Sequence, residues 1–208
     1  MDSLALFLKA FTTLLVVMDP VGLAPVFVAL AGNRPASERL RIARRAVAIA
    51  TLLLVFFGFF GEPLLRYLGI GLAAFRTAGG LLLFKIALDM VFVHRMRETP
   101  EEEEEARMRE DISVFPLAIP LLVGPGAMAS ILVLVAEARH VPGGALAVAM
   151  AAALVLSAAY LALRMAAVLS RLLGRTGVNV VTRVLGVLLA ALAVQFVFDG
   201  VAEVFFAG

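Results

Sequence analysis

Six apolar blocks, each longer than twenty residues, run through this chain with polar or charged segments between them: 4–31, 46–68, 71–93, 112–136, 144–169 and 180–206. A helix needs about 20 apolar residues to cross a hydrocarbon core of ~30 Å. Hydrophobic residues make up 62% of the sequence and the mean hydropathy is +1.03, against ~45–50% apolar residues in soluble domains. The expected class is an all-α polytopic membrane protein with six transmembrane helices. A cleaved leader is a poor account of the first block, because Lys9 is its only nearby cation and no small-residue cleavage site opens a soluble remainder.

The connecting segments predict orientation. Eleven cations fall on one side: Arg34, Arg39, Arg41, Arg44, Arg45, Arg95, Arg97, Arg107, Arg109, Arg171 and Arg175. Only Lys9, Arg66 and Arg139 fall on the other. Cations favour the cytoplasmic side, so both termini are expected outside. The longest polar segment, 94–111, carries a run of five glutamates behind Thr99 and Pro100. Thr99 can cap a short helix there, and Glu103 and Glu105 stand four residues before Arg107 and Arg109. A solvated cytoplasmic helix therefore explains the run better than a cation sensor does.

A repeat divides the chain. Arg66, Gly69, Arg76 and Gly79 pair in order with Arg171, Gly174, Arg183 and Gly186, at offsets of 105 and then 107 residues. The same 105 carries Asp19-Pro20 onto Gly124-Pro125. The expected organisation is a single membrane domain with repeat one at 1–93, the charged loop at 94–111 and repeat two at 112–208. Three spans per repeat reverse the second copy, so the architecture reads as two inverted three-helix repeats with helices 1 and 4 broken.

The breaks are where function is expected. The first block is too long for one straight crossing, at ~42 Å for 28 residues rising 1.5 Å each. Pro20 and Pro25 each remove a backbone donor, and Gly22 permits turns that other residues resist. A stop near Met18, a restart near Leu23 and a matching break across Gly124, Pro125 and Gly126 are expected. Freed peptide groups cannot face lipid and must be buried in protein or line a wet cavity. Each restarted helix offers N–H donors and a positive dipole end suited to a carboxylate. Asp19, the one acid there, can accept an ammonium group or hold a coupling proton. It can equally cap the second half-helix, and the two roles are compatible.

The expected substrate-binding set is Asp19, Pro20, Gly22, Pro25, Gly124, Pro125, Gly126 and Ala127, with Asn179 and Arg183 as outlying candidates. Other polar residues have plainer readings. Arg76 and Arg183 can snorkel, Lys85 can pair with Asp89 along one helix face, and Gln195 can bond between helices. No catalytic residue or metal site is expected, since the chain has no cysteine and its two histidines, His94 and His140, lie in different loops.

Around these breaks the sequence resembles the MarC family of bacterial and archaeal inner-membrane proteins. The resemblance runs through Asp19-Pro20-Val21-Gly22-Leu23-Ala24-Pro25, through Asp111-Ile112-Ser113-Val114-Phe115-Pro116 and on to Gly124-Pro125-Gly126, and from Gly177-Val178-Asn179 to Asp199-Gly200. It implies a six-span protein of the inner membrane. It also implies movement of glycine- or alanine-like substrates, because some members are described as small neutral amino acid transporters. The expected partners are then the bilayer and a small zwitterion, with no nucleic acid. No cofactor is expected beyond a coupling proton or sodium ion, and homo-oligomerisation is left open. A channel, an exporter of another small metabolite and a non-transporting scaffold or sensor remain alternatives.

Overall fold

The computed structural model describes residues 2–31, 34–92 and 112–206. The charged loop expected at 94–111, with His94, the glutamate run and Asp111, lies outside the described residues. Among the described residues all regular structure is helical. The elements are α1 (Ser3–Met18), α2 (Pro20–Ala31), α3 (Ala36–Tyr67), α4 (Leu72–Phe92), α5 (Ser113–Leu122), α6 (Pro125–Ala138), α7 (Gly144–Arg164) and α8 (Ala166–Phe206).

Four helical stretches are long and apolar enough to cross a membrane: Ser3–Ala31, Ala36–Tyr67, Gly144–Arg164 and Thr176–Phe205. The pair α5 and α6, bent by 57° at its break, makes a fifth if counted as one span. The third apolar block of the sequence forms α4, whose 21 residues include Arg76, Lys85 and Asp89.

Three boundaries differ from the sequence reading. Helix α2 restarts at Pro20 rather than near Leu23 and continues through Pro25. Proline is tolerated at the first helical position, where its missing N–H has no intrahelical partner to lose; at Pro25 the cost is one missing donor opposite Val21 O. Gly22 therefore lies inside a helix and not in a turn. The fifth block stops at Arg164, before the expected residue 169. The segment carrying Arg171 is helical, interrupted at Gly174 (φ +60°) instead of forming a loop. Gly69, its partner in the repeat, is also left-handed (φ +71°) and joins α3 to α4. A Cβ at either glycine would meet nothing within 4 Å, so the backbone angle alone calls for glycine there.

Helix α5 is wound more widely than an α-helix. Leu117 N donates to Ile112 O (3.4 Å) and Val123 N to Ala118 O (2.9 Å), each five residues back. Phe115 and Ile119 have extended backbone angles, as residues preceding Pro116 and Pro120 are driven to adopt. The two X–Pro bonds are cis.

The most extensive packing joins α4 to α8. Glycines bring the two backbones together: a Cβ on Gly80 would stand 2.7 Å from Ala193 O, and one on Gly186 2.8 Å from Met90 Cβ. Small residues permit this approach where lipid offers no hydrophobic drive between helices. Helix α1 packs on α7 and α6, α2 on α8 and α7, and α3 on α5, α6 and α7. The main core runs from Leu6 and Leu14 of α1 through Phe27 of α2 to Leu134, Val155 and Leu163.

Gly80→Leu should lower stability by ~1–3 kcal/mol, the usual cost of overpacking. Gly58→Ala, inside α3, where an added Cβ would stand an ordinary 3.6 Å from Val135 Cγ2, should not lower stability. Heating followed by gel filtration in detergent measures both.

Candidate functional site

The first break turns on one residue. Asp19 ends α1 in a left-handed conformation (φ 35°, ψ 68°), its N–H donating to Leu15 O at 3.1 Å. Its carbonyl then accepts from Leu23 N at 3.1 Å and starts α2. Pro20 has no N–H to offer Val16 O, so the hydrogen-bond ladder cannot continue across the junction. The Asp19 carboxylate turns back over the first turn of α2, where Oδ1 accepts from Gly22 N at 3.0 Å. A Cβ at position 22 would collide with Asp19 Oδ2, so the carboxylate would have to swing off its bond to Gly22 N. The glycine is required by the acid beside it rather than by a turn.

The second carboxylate oxygen reaches across the repeat. Thr182 Oγ1 of α8 donates to Asp19 Oδ2 at 3.5 Å. The neighbouring candidate Arg183 is exposed, and Asn179 is half-buried three residues earlier. The structure thus brings Thr182 to the acid and turns Arg183 away from the interior. A lone hydroxyl beside an arginine gives little signal in a sequence, which is why Thr182 went unseen.

The second break repeats the first without its side chain. Gly124 (φ −86°, ψ −179°) precedes Pro125 at the first position of α6, and its carbonyl accepts from Met128 N at 3.1 Å. No side chain caps this helix. Gly126 and Ala127 are buried in its first turn, whereas Pro125 is exposed. A Cβ on Gly126 would stand 3.5 Å from Val17 Cγ1 and 2.7 Å from Leu83 Cδ2. The last turn of α1 and the first turn of α6 are therefore neighbours. Asp19, Pro20 and Gly22 gather at one break and Gly124 to Ala127 at the other, with Pro25 one turn further along α2.

Helices α1 and α6 run antiparallel. Val17 meets Gly126 at one end of the seam, and Lys9 Nζ pairs with Glu137 Oε2 at 2.8 Å at the other. Thr13 and Ser130 occupy intermediate positions on the two helices. Both are fully buried, and neither hydroxyl has a hydrogen-bond partner among the described residues. An unmade hydrogen bond in such a place costs ~1–3 kcal/mol.

The Lys9–Glu137 pair belongs to a cluster that the sequence did not disclose. Arg76 of α4 contacts Glu137 Oε1 at 3.5 Å and Glu203 Oε2 of α8 at 3.4 Å. Nearby on α3, Glu62 holds Arg139 and Arg66, each at 2.7 Å. Arg76 is thus an interhelical partner, 13% exposed, and not a snorkelling side chain. The legible signal was an acid near the same end of three blocks, Glu62, Glu137 and Glu203, opposite the basic loops. Two other polar residues bond within their own helices: Lys85 pairs with Asp89 at 2.9 Å as expected, and Gln195 bonds Asp199 at 2.6 Å instead of reaching another helix. No cluster of three or more metal-ligating His, Cys, Asp or Glu occurs among the described residues.

Residues 4–205 match a family model described as MarC family integral membrane protein. A UPF0056 membrane protein of Archaeoglobus fulgidus is 40% identical over 201 residues, covering 96% of this chain and 94% of that protein. One of Aquifex aeolicus is 41% identical over 199 residues (94% and 92%). The UPF0056 membrane protein YhcE of Escherichia coli is 34% identical over 201 residues (96% and 93%). No solved structure matches the chain.

Capping and charge separate at Asp19. Asparagine caps as well as aspartate does, whereas alanine forfeits ~0.5–2 kcal/mol. Asp19→Asn should keep the detergent melting temperature of the parent, and Asp19→Ala and Gly22→Ala should both lower it. Equal melting of Asp19→Ala and the parent would show that the carboxylate does not hold α2.

Proposed function

The chain belongs to the MarC family of integral membrane proteins, and from that premise we propose that it is a secondary transporter of small neutral amino acids, glycine- or alanine-like, working by alternating access. The observation that carries this reading is the pairing of the two breaks. Two helices restart at Pro20 and Pro125, 105 residues apart in sequence, and the break regions adjoin through Val17 and Gly126.

The substrate's carboxylate sits at the start of α6. The N–H groups of its first turn have no side-chain cap, and the helix dipole is positive there. The ammonium group sits toward Asp19 Oδ2, whose sister oxygen is engaged by Gly22 N. The small buried residues there, Gly126, Ala127 and Ala129, suit a small substrate and not one with a large side chain. The unpartnered hydroxyls of Thr13 and Ser130 give a polar group on the substrate, or a coupling proton or sodium ion, something to bond beside the breaks. The protein moves its substrate without altering it.

Six spans in two inverted repeats frame this site, with α4 as the third span and the half of α8 beyond Gly174 as the sixth. The pattern of packing supports the inversion. Exchange of the repeats maps α1 and α2 onto α5 and α6, α3 onto α7, and α4 onto α8. Under that exchange the contact of α1 with α7 becomes that of α5 with α3, and α2 with α8 becomes α6 with α4; all four contacts occur. The shared left-handed backbone of Gly69 and Gly174 supports it too. Both termini face outward, as the arginine distribution asks, and the Lys9, Glu137, Arg76 and Glu203 cluster closes the outer end. The setting is the inner membrane of a bacterium or archaeon.

In proteoliposomes the protein should exchange labelled glycine or alanine in saturable counterflow. Asp19→Asn should lose at least ~90% of that flux, about 1.4 kcal/mol or more by the tenfold rule, while keeping its melting temperature. Flux no greater than in empty liposomes across a panel of small amino acids would overturn the substrate assignment, and single-channel currents would overturn the carrier.

A further inference from the structure

At the end of the molecule opposite the Lys9–Glu137 cluster, a cleft of about 250 Å³ opens where α2 ends, α3 begins and α7 gives way to α8. Its walls are mostly hydrocarbon, including Phe27 of α2, Leu40 of α3, Leu163 of α7 and Ala167 of α8. Two of its lining side chains are charged and both are arginines: Arg39, in the first turn of α3, and Arg164, the last residue of α7. No carboxylate lines the cleft among the described residues.

These two cations differ from those at the other end. Lys9, Arg66, Arg76 and Arg139 each contact a glutamate. Glu38, one residue from Arg39, is engaged by Arg34 at 2.6 Å. Neither Arg39 nor Arg164 has an ion pair or hydrogen bond among the described residues. Among the described residues, no carboxylate compensates the two guanidinium groups beside this apolar cleft. A guanidinium fork matches phosphate oxygens in pairs, which a lone ammonium cannot do.

We propose that this cleft binds the phosphate of an anionic phospholipid, with Arg39 and Arg164 holding the headgroup and Phe27, Leu40 and Leu163 receiving the upper part of an acyl chain. Two properties favour a lipid over a free anion. The walls below the arginines are apolar, so they reward an anion that carries hydrocarbon. Both arginines stand at helix ends, the level at which headgroups meet a spanning protein, and basic pockets between helices recognise acidic headgroups there. The inference uses only the membrane setting and stands apart from the transport reading.

Native mass spectrometry of the purified full chain, titrated with phosphatidylglycerol or phosphatidylethanolamine, tests the site. The parent should retain phosphatidylglycerol at least about fivefold better than phosphatidylethanolamine. Arg39→Gln with Arg164→Gln should remove that preference. Arg41→Gln with Arg44→Gln removes the same charge from exposed positions outside the cleft and should keep it. Arg39→Lys with Arg164→Lys, which preserves charge and guards against misfolding, should weaken retention without abolishing it. Equal losses in the two glutamine pairs would overturn the proposal in favour of general surface attraction. Full displacement of phosphatidylglycerol by millimolar inorganic phosphate would overturn it in favour of a free-anion site.

Discussion

A peptide group inside a bilayer has no water to fall back on, and the fold at residues 18–22 and 122–128 follows from that constraint. Proline is the test of it, because each one withdraws a donor. Pro20 and Pro125 stand at the first position of a helix, where no acceptor is deprived within that helix. The burden falls instead on the carbonyls of the preceding turn, while on the far side of the first junction Asp19, bent left-handed, accepts from Gly22 N with its carboxylate and satisfies a donor of α2. Pro25 lies inside α2 and leaves it unbroken, because no neighbouring residue supplies both a left-handed backbone and a cap. Pro116 and Pro120 make a third arrangement, in which a wide helix of five-residue hydrogen bonds absorbs two extended residues.

Much of this was legible in the chain itself. Apolar length gave the helices from Ser3, Gly144 and Thr176 and the long α3, and the Asp-Pro and Gly-Pro pairs marked where helices would part. The restart at Leu23 was misplaced because Pro20 and Pro25 were weighed alike, when only position within a helix separates a proline that starts one from a proline that merely weakens it. The role of Gly22 was misread for a related reason. Glycine suggests a turn, but here it clears space for a carboxylate three residues earlier, a requirement set by contact and not by dihedral angle. Thr182 and the Glu137 cluster were hidden because they join residues 61 or more positions apart, from 61 for Arg76 and Glu137 to 163 for Asp19 and Thr182. Each partner alone looks like an ordinary hydroxyl or a charge at a helix end.

The two breaks share backbone geometry but not chemistry, and that difference matters more than the likeness. Both cap carbonyls accept from the N–H four residues on at 3.1 Å. At the first break an acid supplies the acceptor that a helix N-terminus wants; at the second, glycine leaves that end without a side-chain cap. Two identical ends would both favour an anion. On the transporter reading proposed above, one end satisfied by its own carboxylate and one without a side-chain cap would suit a ligand with a charge of each sign, the form of a small amino acid at neutral pH.

A similar asymmetry governs the ends of the molecule. One end compensates its cations with Glu62, Glu137 and Glu203, so its helices α1, α3, α4, α6 and α8 are tied by ions in a medium that screens them weakly. At the other, Arg39 and Arg164 have no carboxylate beside them among the described residues and line an open cleft. Ion pairs between these helices resist their separation, while Arg39 and Arg164, without a carboxylate partner among the described residues, have no such hold on one another. Under the alternating-access reading proposed above, a rocking motion about the breaks would therefore meet its electrostatic resistance at the paired end, where Lys9 and Arg76 would have to part from Glu137.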